Sequence, residues 1–230
     1  MEIHAFDPDR GLYHFRIEAI QAALHAHPVT EIILSEGGFT LLTENERFEN
    51  VRYALVKQHQ AHAIEAPKGL VEVIMCEADV FDSVSKALNE PTSGGVLATN
   101  NTAFQREAQK LLEQESLKKE YDDERVKTAL QYVELHLVDE LSLKQVAEEA
   151  NLSPGRFSHL FKEQVGVSFS SYLIWLRLKK AISGYLSQKL NLTEACHLAG
   201  FHDSSHFTRH FKKYFGVKPS FPYNSSIVQV

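Results

Sequence analysis

Phe157-Ser158-His159-Leu160-Phe161-Lys162-Glu163-Gln164-Val165-Gly166-Val167 and Phe207-Thr208-Arg209-His210-Phe211-Lys212-Lys213-Tyr214-Phe215-Gly216-Val217 are one pattern written twice, F-x-x-x-F-K-x-x-x-G-V, fifty residues apart. Upstream, Ser142-Leu143 and Ala150 match Asn191-Leu192 and Ala199 at an offset of forty-nine, so the second copy has one more residue in its turn. A recurrence of this length marks two copies of one supersecondary unit.

The local signals say what that unit is. Ser142 caps a short helix, Leu143 to Ala150, and a break follows at Asn151-Leu152. Ser153 caps the next helix with Pro154 at its first position, and Gly166 after Val165 supplies the left-handed stop. Two helices across a tight turn make a helix-turn-helix. In the second copy Asn191 caps Leu192 to Ala199, Gly200-Phe201-His202-Asp203 is the turn, and Ser204 to Phe215 is the second helix. A long helix, Ser168 to Leu186, joins the copies; at ~1.5 Å per residue it spans roughly 28 Å. That is near the ~34 Å between successive major-groove faces of a duplex, so one chain can read two adjacent grooves. Asp123 begins a further helix through about Val138, with Val126, Leu130, Val133 and Leu137 on one face.

Composition bounds the rest. The chain has 230 residues, 43% hydrophobic and 23% charged, which suits a soluble globular protein of two small domains. Its start, Met1-Glu2-Ile3-His4-Ala5-Phe6-Asp7-Pro8, is not a signal peptide, and no apolar run approaches the ~18 residues of a membrane span. A cytoplasmic protein without a membrane partner is expected. Cys76 and Cys196 lack a CxxC partner and read as buried thiols of a reducing compartment. The net charge of −6 is uneven. Residues 1–123 hold 11 Lys+Arg against 21 Asp+Glu, whereas residues 124–230 hold 13 against 9. The basic half is the part suited to a polyanion.

The acidic half reads as short strands over residues 12–25 and 29–80. Glu36-Gly37-Gly38 and Pro67-Lys68-Gly69 are hairpin signals, giving a small β-sandwich or barrel. Within it stands His25-x-His27-x-x-x-Glu31. Residues two apart on a strand share a face, so His25 and His27 point the same way and Glu31 has the same parity. Two imidazoles, a carboxylate and a further histidine, His59 or His62, are suitable ligands for a divalent transition metal. The same histidines also suit a metal-free barrel in which they line a ligand pocket. The pattern resembles the first motif of the cupin family, H-x-H-x(3)-E-x(6)-G, ending at Gly38. The resemblance implies a minimal cupin-like sensor domain over residues 1–80, with His25, His27, Glu31 and His62 as the metal set. Ala19 stands where that family has a glycine before the motif, and Lys57, His59 and Ala66 depart from its second motif.

Residues 81–122 read as linker or dimerisation helices: a short helix from Phe81 to Leu88, a loop from Asn89 to Asn101, and a helix from Ala103 to Tyr121, packed on the barrel or on a second subunit, whose apolar stripe fades past Leu112 into the solvated stretch Glu113–Glu124. Residues 123–224 resemble the DNA-binding domain of the AraC/XylS family of transcription regulators. The resemblance rests on Leu141-Ser142-Leu143, Val146-Ala147, Leu152-Ser153, Phe157, Leu160-Phe161-Lys162, Gly166, Tyr172-Leu173, Arg177-Leu178 and Ala181. It continues in Ala199-Gly200-Phe201, Asp203 to Phe207, Arg209, Phe211-Lys212-Lys213, Phe215-Gly216-Val217 and Pro219-Ser220. Ala195-Cys196 replaces the usual Ile-Ala, and Pro222-Tyr223 stands where a Tyr/Phe-Arg ending is typical.

The resemblance implies multi-domain α and β architecture, a cupin-like β-barrel followed by an all-α double helix-turn-helix, and sequence-specific binding of double-stranded DNA. Gly155, Arg156, Ser158 and His159 on the first recognition helix then face the major groove, with Ser204, Ser205, His206, Thr208 and Arg209 on the second. Arg156 and Arg209 are the strongest candidates, since a guanidinium pairs bidentately with guanine. Lys162, Lys212 and Lys213 suit phosphate. Arg177 and Asp203 are expected to form a structural ion pair. The chain is read as an activator-type regulator, a homodimer under a small-molecule or metal effector, with RNA polymerase as a further partner. It is not read as an enzyme, because no acid–base constellation accompanies the ligand set; the alternative is a metal-dependent cupin enzyme carrying a DNA-binding domain.

Overall fold

The computed structural model describes residues 2–187 and 190–219. The Ser220 and Pro222-Tyr223 positions singled out in sequence lie outside the described residues. The chain forms two compact units: residues 1–119 together with the segment from Phe211 onward, and residues 120–210.

Five strands come first: β1 (Glu2–Asp7), β2 (Leu12–His25), β3 (Thr30–Leu42), β4 (Arg47–Val56) and β5 (His62–Cys76). Helix α1 (Phe81–Leu88), strand β6 (Val96–Thr99) and helix α2 (Ala103–Leu112) follow. The strands make one antiparallel sheet in the order β1-β2-β5-β3-β4-β6. Among the described residues its hydrogen-bond ladder does not close into a barrel, which corrects the expected closed form to an open sheet.

The two expected hairpins are also absent. Glu36-Gly37-Gly38 lies inside β3, where the register slips between Leu34 and Phe39. Pro67-Lys68-Gly69 lies inside β5, opposite a slip between Glu18 and Ile20 of β2. A positive-φ glycine serves a bulge as well as a turn, and bulges let these long strands bend without ending. Ala19, at the β2 bulge, has φ +52°, the left-handed conformation that a glycine adopts most readily.

Residues 81–118 pack within this unit, so of the two expected placements of the Ala103 helix the one on the sheet holds here, and the helix ends at Leu112 rather than Tyr121. Phe81, Val84, Leu88, Leu97, Phe104, Ala108, Leu111 and Leu117 share a buried core with Leu12, Ile32, Tyr53, Leu55 and Ile74. The supposed loop contains β6, which pairs with β4. The supposedly solvated stretch is tied down by Leu117, which is fully buried, donates its N–H to the Arg10 carbonyl at 2.7 Å and accepts from the Ala78 N–H at 2.6 Å. Cys76 and Cys196 are buried free thiols, pushed up by burial to about 12 and about 11.

The helical elements are α3 (Glu124–Leu135), α4 (Leu143–Glu149), α5 (Pro154–Val165), α6 (Phe169–Ser187), α7 (Leu192–Leu198) and α8 (Ser204–Phe215). Both short helices open on a complete capping box, Ser142 with Gln145 in α4 and Asn191 with Glu194 in α7. Each box satisfies two backbone groups and contributes about 1 kcal/mol. Phe157 and Phe161 are fully buried among Val126, Leu130, Val146, Phe169 and Leu173. Arg177 does not pair with Asp203. It donates to the Leu137 and Asp139 carbonyls at 3.1 and 2.9 Å, bracing the end of α3, while Asp203 accepts from the His206 N–H at 2.6 Å and caps α8.

Candidate functional site

Two sets of residues concern function. The first is the cluster His25, His27, Glu31 and His62, all four buried. The sequence expectation that His25 and His27 share a strand face is corrected. His25 ends β2, His27 lies in the connection to β3, Glu31 is the second residue of β3 and His62 begins β5. Strand pairing completes the set, because His25 sits opposite His62 across the β2–β5 ladder. His59, the other candidate, has φ +65° and uses its N–H on the His27 carbonyl; it is not part of the cluster.

Each imidazole of the cluster is oriented by its own backbone. Nδ1 of His25 bonds the Ala23 carbonyl at 2.9 Å, that of His27 the Val29 carbonyl at 3.0 Å, and that of His62 the Gln60 carbonyl at 2.9 Å. A carbonyl only accepts, so each Nδ1 carries the proton. In the neutral ring this leaves Nε2 with a lone pair, as a metal ligand needs. Glu31 Oε2 lies 2.6 Å from His62 Nε2 and 3.3 Å from His27 Nε2. His62 Nε2 is buried without a hydrogen bond of good direction despite that short distance.

The electrostatics match. Burial alone raises the Glu31 pKa, but the His62 and His27 imidazoles outweigh it and hold the carboxyl well below the usual range. Burial lowers His62, but Glu31 reverses this and raises it. Burial, then His62 and His27, push His25 down to about 3, so it is neutral at physiological pH.

The donor set, three imidazole nitrogens and a carboxylate oxygen with all ligand atoms within 4.8 Å of one another, fits a divalent transition metal. At ~2.0–2.2 Å per bond, opposite ligands stand up to ~4.4 Å apart, so a small inward movement gathers all four.

The second set lies on α5 and α8. On α5, Gly155, Arg156, Ser158, His159 and Lys162 are all exposed, opposite the buried Phe157 and Phe161. Arg156 and His159 border a shallow depression with Arg125, Leu152, Leu160 and Glu163. On α8, Ser205, Arg209, Lys212 and Lys213 are exposed, whereas Ser204, His206 and Thr208 are half-buried. His206 packs edge-on against Phe201 at 5.5 Å, and its Nε2 lies 3.0 Å from Nε2 of His210. Its ring is thus held on the helix, a contact that the i, i+4 spacing permits and that sequence reading passed over.

Comparison with known proteins agrees with this division. Residues 146–221 match a family model described as a helix-turn-helix domain. The arabinose operon regulatory protein of Escherichia coli K12 is 36% identical over 99 residues, covering 43% of this chain and 34% of that protein. The transcriptional activator RhaS of Escherichia coli O139:H28 is 32% identical over 111 residues, covering 47% of this chain and 40% of that protein. The match thus spans well under half of these relatives' length. Among solved structures, ToxT from Vibrio cholerae O395 aligns with 91% of this chain and 95% of its own at a TM-score of 0.59 and 13% identity, a likeness of fold.

The C-terminal part of this chain thus carries two helix-turn-helix units and is similar over about a hundred residues to the arabinose operon regulatory protein and RhaS.

Proposed function

We propose that the whole chain is a sequence-specific transcription regulator whose N-terminal sheet unit is a cupin-like sensor, and that its effector is a divalent transition metal held by His25, His27, Glu31 and His62. The observation that carries this is the orientation of three buried imidazoles by three backbone carbonyls, each leaving Nε2 as the atom that a metal can bind once any proton there is displaced. A buried cluster that serves only stability has no need of four ligand atoms so placed, and burying charge without full compensation is costly. When bound, a metal there would supply a charge-dense cross-link between β2, β3 and β5, whose ends carry His25, Glu31 and His62. A small organic effector is the second reading: one solved ToxT structure is of the unsaturated fatty acid-bound protein, and its fold resembles this chain at a TM-score of 0.55.

Arg156 and Arg209 read bases in the two recognition helices, and Lys162, Lys212 and Lys213 neutralise phosphates. The regulator acts as a homodimer that engages RNA polymerase when it activates, and it is not an enzyme. The test begins with a duplex selected from random oligonucleotides by the full chain. Its affinity is measured by anisotropy after chelator treatment and after adding Zn²⁺ or Mn²⁺ alone. Stoichiometric metal and a change in DNA affinity of about fivefold or more are expected, both lost in Glu31→Gln and His27→Ala. Metal-free protein that ignores both ions would contradict the metal reading.

A further inference from the structure

Two equivalent glycines end the two recognition helices, Gly166 after α5 and Gly216 after α8, and both have positive φ, 94° and 68°. Their surroundings differ. The chain from Phe211 onward counts with the sheet, and there Gly216 meets the end of β2. Its carbonyl accepts the Ala23 N–H at 3.0 Å. A Cβ at Gly216 would stand 2.5 Å from the Ala23 carbonyl oxygen, 2.7 Å from His25 Nδ1 and 3.1 Å from the Ala22 Cβ. Real side chains do not occupy such space, so nothing larger than glycine fits without moving β2.

Residue 23 therefore serves two clients. Its N–H holds the last turn of a recognition helix, and its carbonyl fixes the ring of a metal-ligand candidate, His25, at 2.9 Å. β2 is also irregular here, with a register slip between Ala22 and His25, so this backbone is not locked by continuous pairing with β5. Lys212, one of the phosphate candidates, borders the same groove as Gln21, Leu24, Leu42, Glu65 and Lys218. That groove places a cation meant for DNA beside the sheet.

We propose that the Ala23–Gly216 contact is an autoinhibitory latch, closed when the His25 cluster holds no metal and released when a metal draws the His25 ring inward. This rests on the metal-effector reading and adds the route by which occupancy reaches α8. The ligand atoms span up to 4.8 Å and must close in around one ion. His25 cannot move without its Ala23 carbonyl partner, and the Ala23 peptide cannot rotate without disturbing the hydrogen bond to Gly216. The contact has no slack to absorb the motion. Release frees the end of α8 and Lys212 for DNA.

The test uses the full chain with Zn²⁺ alone as probe and the duplex selected above. In the wild type, Zn²⁺ is expected to tighten DNA binding by about fivefold or more. Gly216→Ala is expected to bind DNA without Zn²⁺ as tightly as the Zn²⁺-loaded wild type, to respond less than about twofold, and to bind Zn²⁺ more tightly by the reciprocal factor. Gly166, which is exposed where Gly216 is buried, also has positive φ, and Gly166→Ala is expected to keep the wild-type response. Should Gly216→Ala fail to fold, amide exchange of Ala23 in the wild type decides: protection without Zn²⁺ and at least tenfold faster exchange with it supports the latch.

A wild type that binds Zn²⁺ and responds, with Gly216→Ala responding equally or Ala23 exchange unchanged, overturns the latch while leaving the effector reading intact. Zn²⁺ that weakens DNA binding overturns release as its mechanism. Absence of Zn²⁺ binding in the wild type overturns the effector reading itself, and the latch with it.

Discussion

Helices α5 and α8 are the same length, carry the same F-x-x-x-F-K pattern and end at the same glycine, yet they do different things with their outer faces. On α5 the face opposite the phenylalanines is fully open, from Gly155 to Lys162. On α8 the equivalent face is partly taken up: His206 is bound to His210, Ser204 and Thr208 are half-buried, and Gly216 is closed against β2. The residues that repeat build the fold. Those that do not repeat separate an open outer face from one whose end is held. A duplicated motif therefore need not present a duplicated surface, and two unlike half-sites are the target that the proposed function predicts.

The largest way to break this comparison is at the shared aromatic positions. Phe161 is fully buried and touches Phe157, Phe169 and Tyr172, with ring centroids 5.4 to 5.8 Å apart. Phe161→Ala is expected to cost ~3–5 kcal/mol of stability in denaturant unfolding. Phe211, at 6% exposure, is expected to cost toward the lower end of that range. Equal and negligible losses would mean that the repeat is not the structural frame described here.

Next come the two arginines. Arg156→Ala and Arg209→Ala should each weaken specific DNA binding by ~1–3 kcal/mol and relax preference at a single position, as read by competition with mutated duplexes. Lys162→Ala should instead weaken all sequences alike and lower the salt slope by about one.

A smaller effect sharpens the contrast at the histidines. His159 is exposed, and its nearest ionic partner, Glu163, is 3.8 Å away, whereas His206 is held by His210. His159→Ala is expected to reduce DNA affinity more than His206→Ala, whose effect should stay within ~1 kcal/mol, the worth of an ordinary hydrogen bond. The reverse order would show that the His206–His210 contact opens on DNA.

The smallest effect lies in the sheet. Ala19→Gly should stabilise it by ~0.5–1 kcal/mol, as relief of left-handed strain outweighs the added entropy of the unfolded chain. Thermal unfolding measures this, and a destabilised variant would contradict the assigned backbone.

Much of this was legible in the residues. The caps at Ser142, Ser153 and Asn191, the glycine stops and the phenylalanine spacing placed the helices, because capping and periodicity are local. That His25, His27, Glu31 and His62 cluster was readable from motif resemblance but not from strand parity: His27 is off the strand, and pairing of β2 with β5 brings in the fourth residue. Bulges at Gly38 and Gly69 were misread as turns because both need positive φ, and only strand pairing tells them apart. Strand β6 is too short to show alternation. The tie at Leu117 is hidden among charged neighbours, since one buried leucine carries no periodic signal. Nothing local distinguishes Gly216 from Gly166; the difference comes from a segment nearly two hundred residues earlier in the chain.

The most direct test of two unlike reading heads is selection of DNA targets from a random pool by the wild-type chain, Arg156→Ala and Arg209→Ala in parallel. The wild type is predicted to select an asymmetric sequence with two different elements about one helical turn apart, ~10 base pairs. Each variant is predicted to lose preference in a different one of them. A palindromic target, or loss of the same position in both variants, would contradict the account.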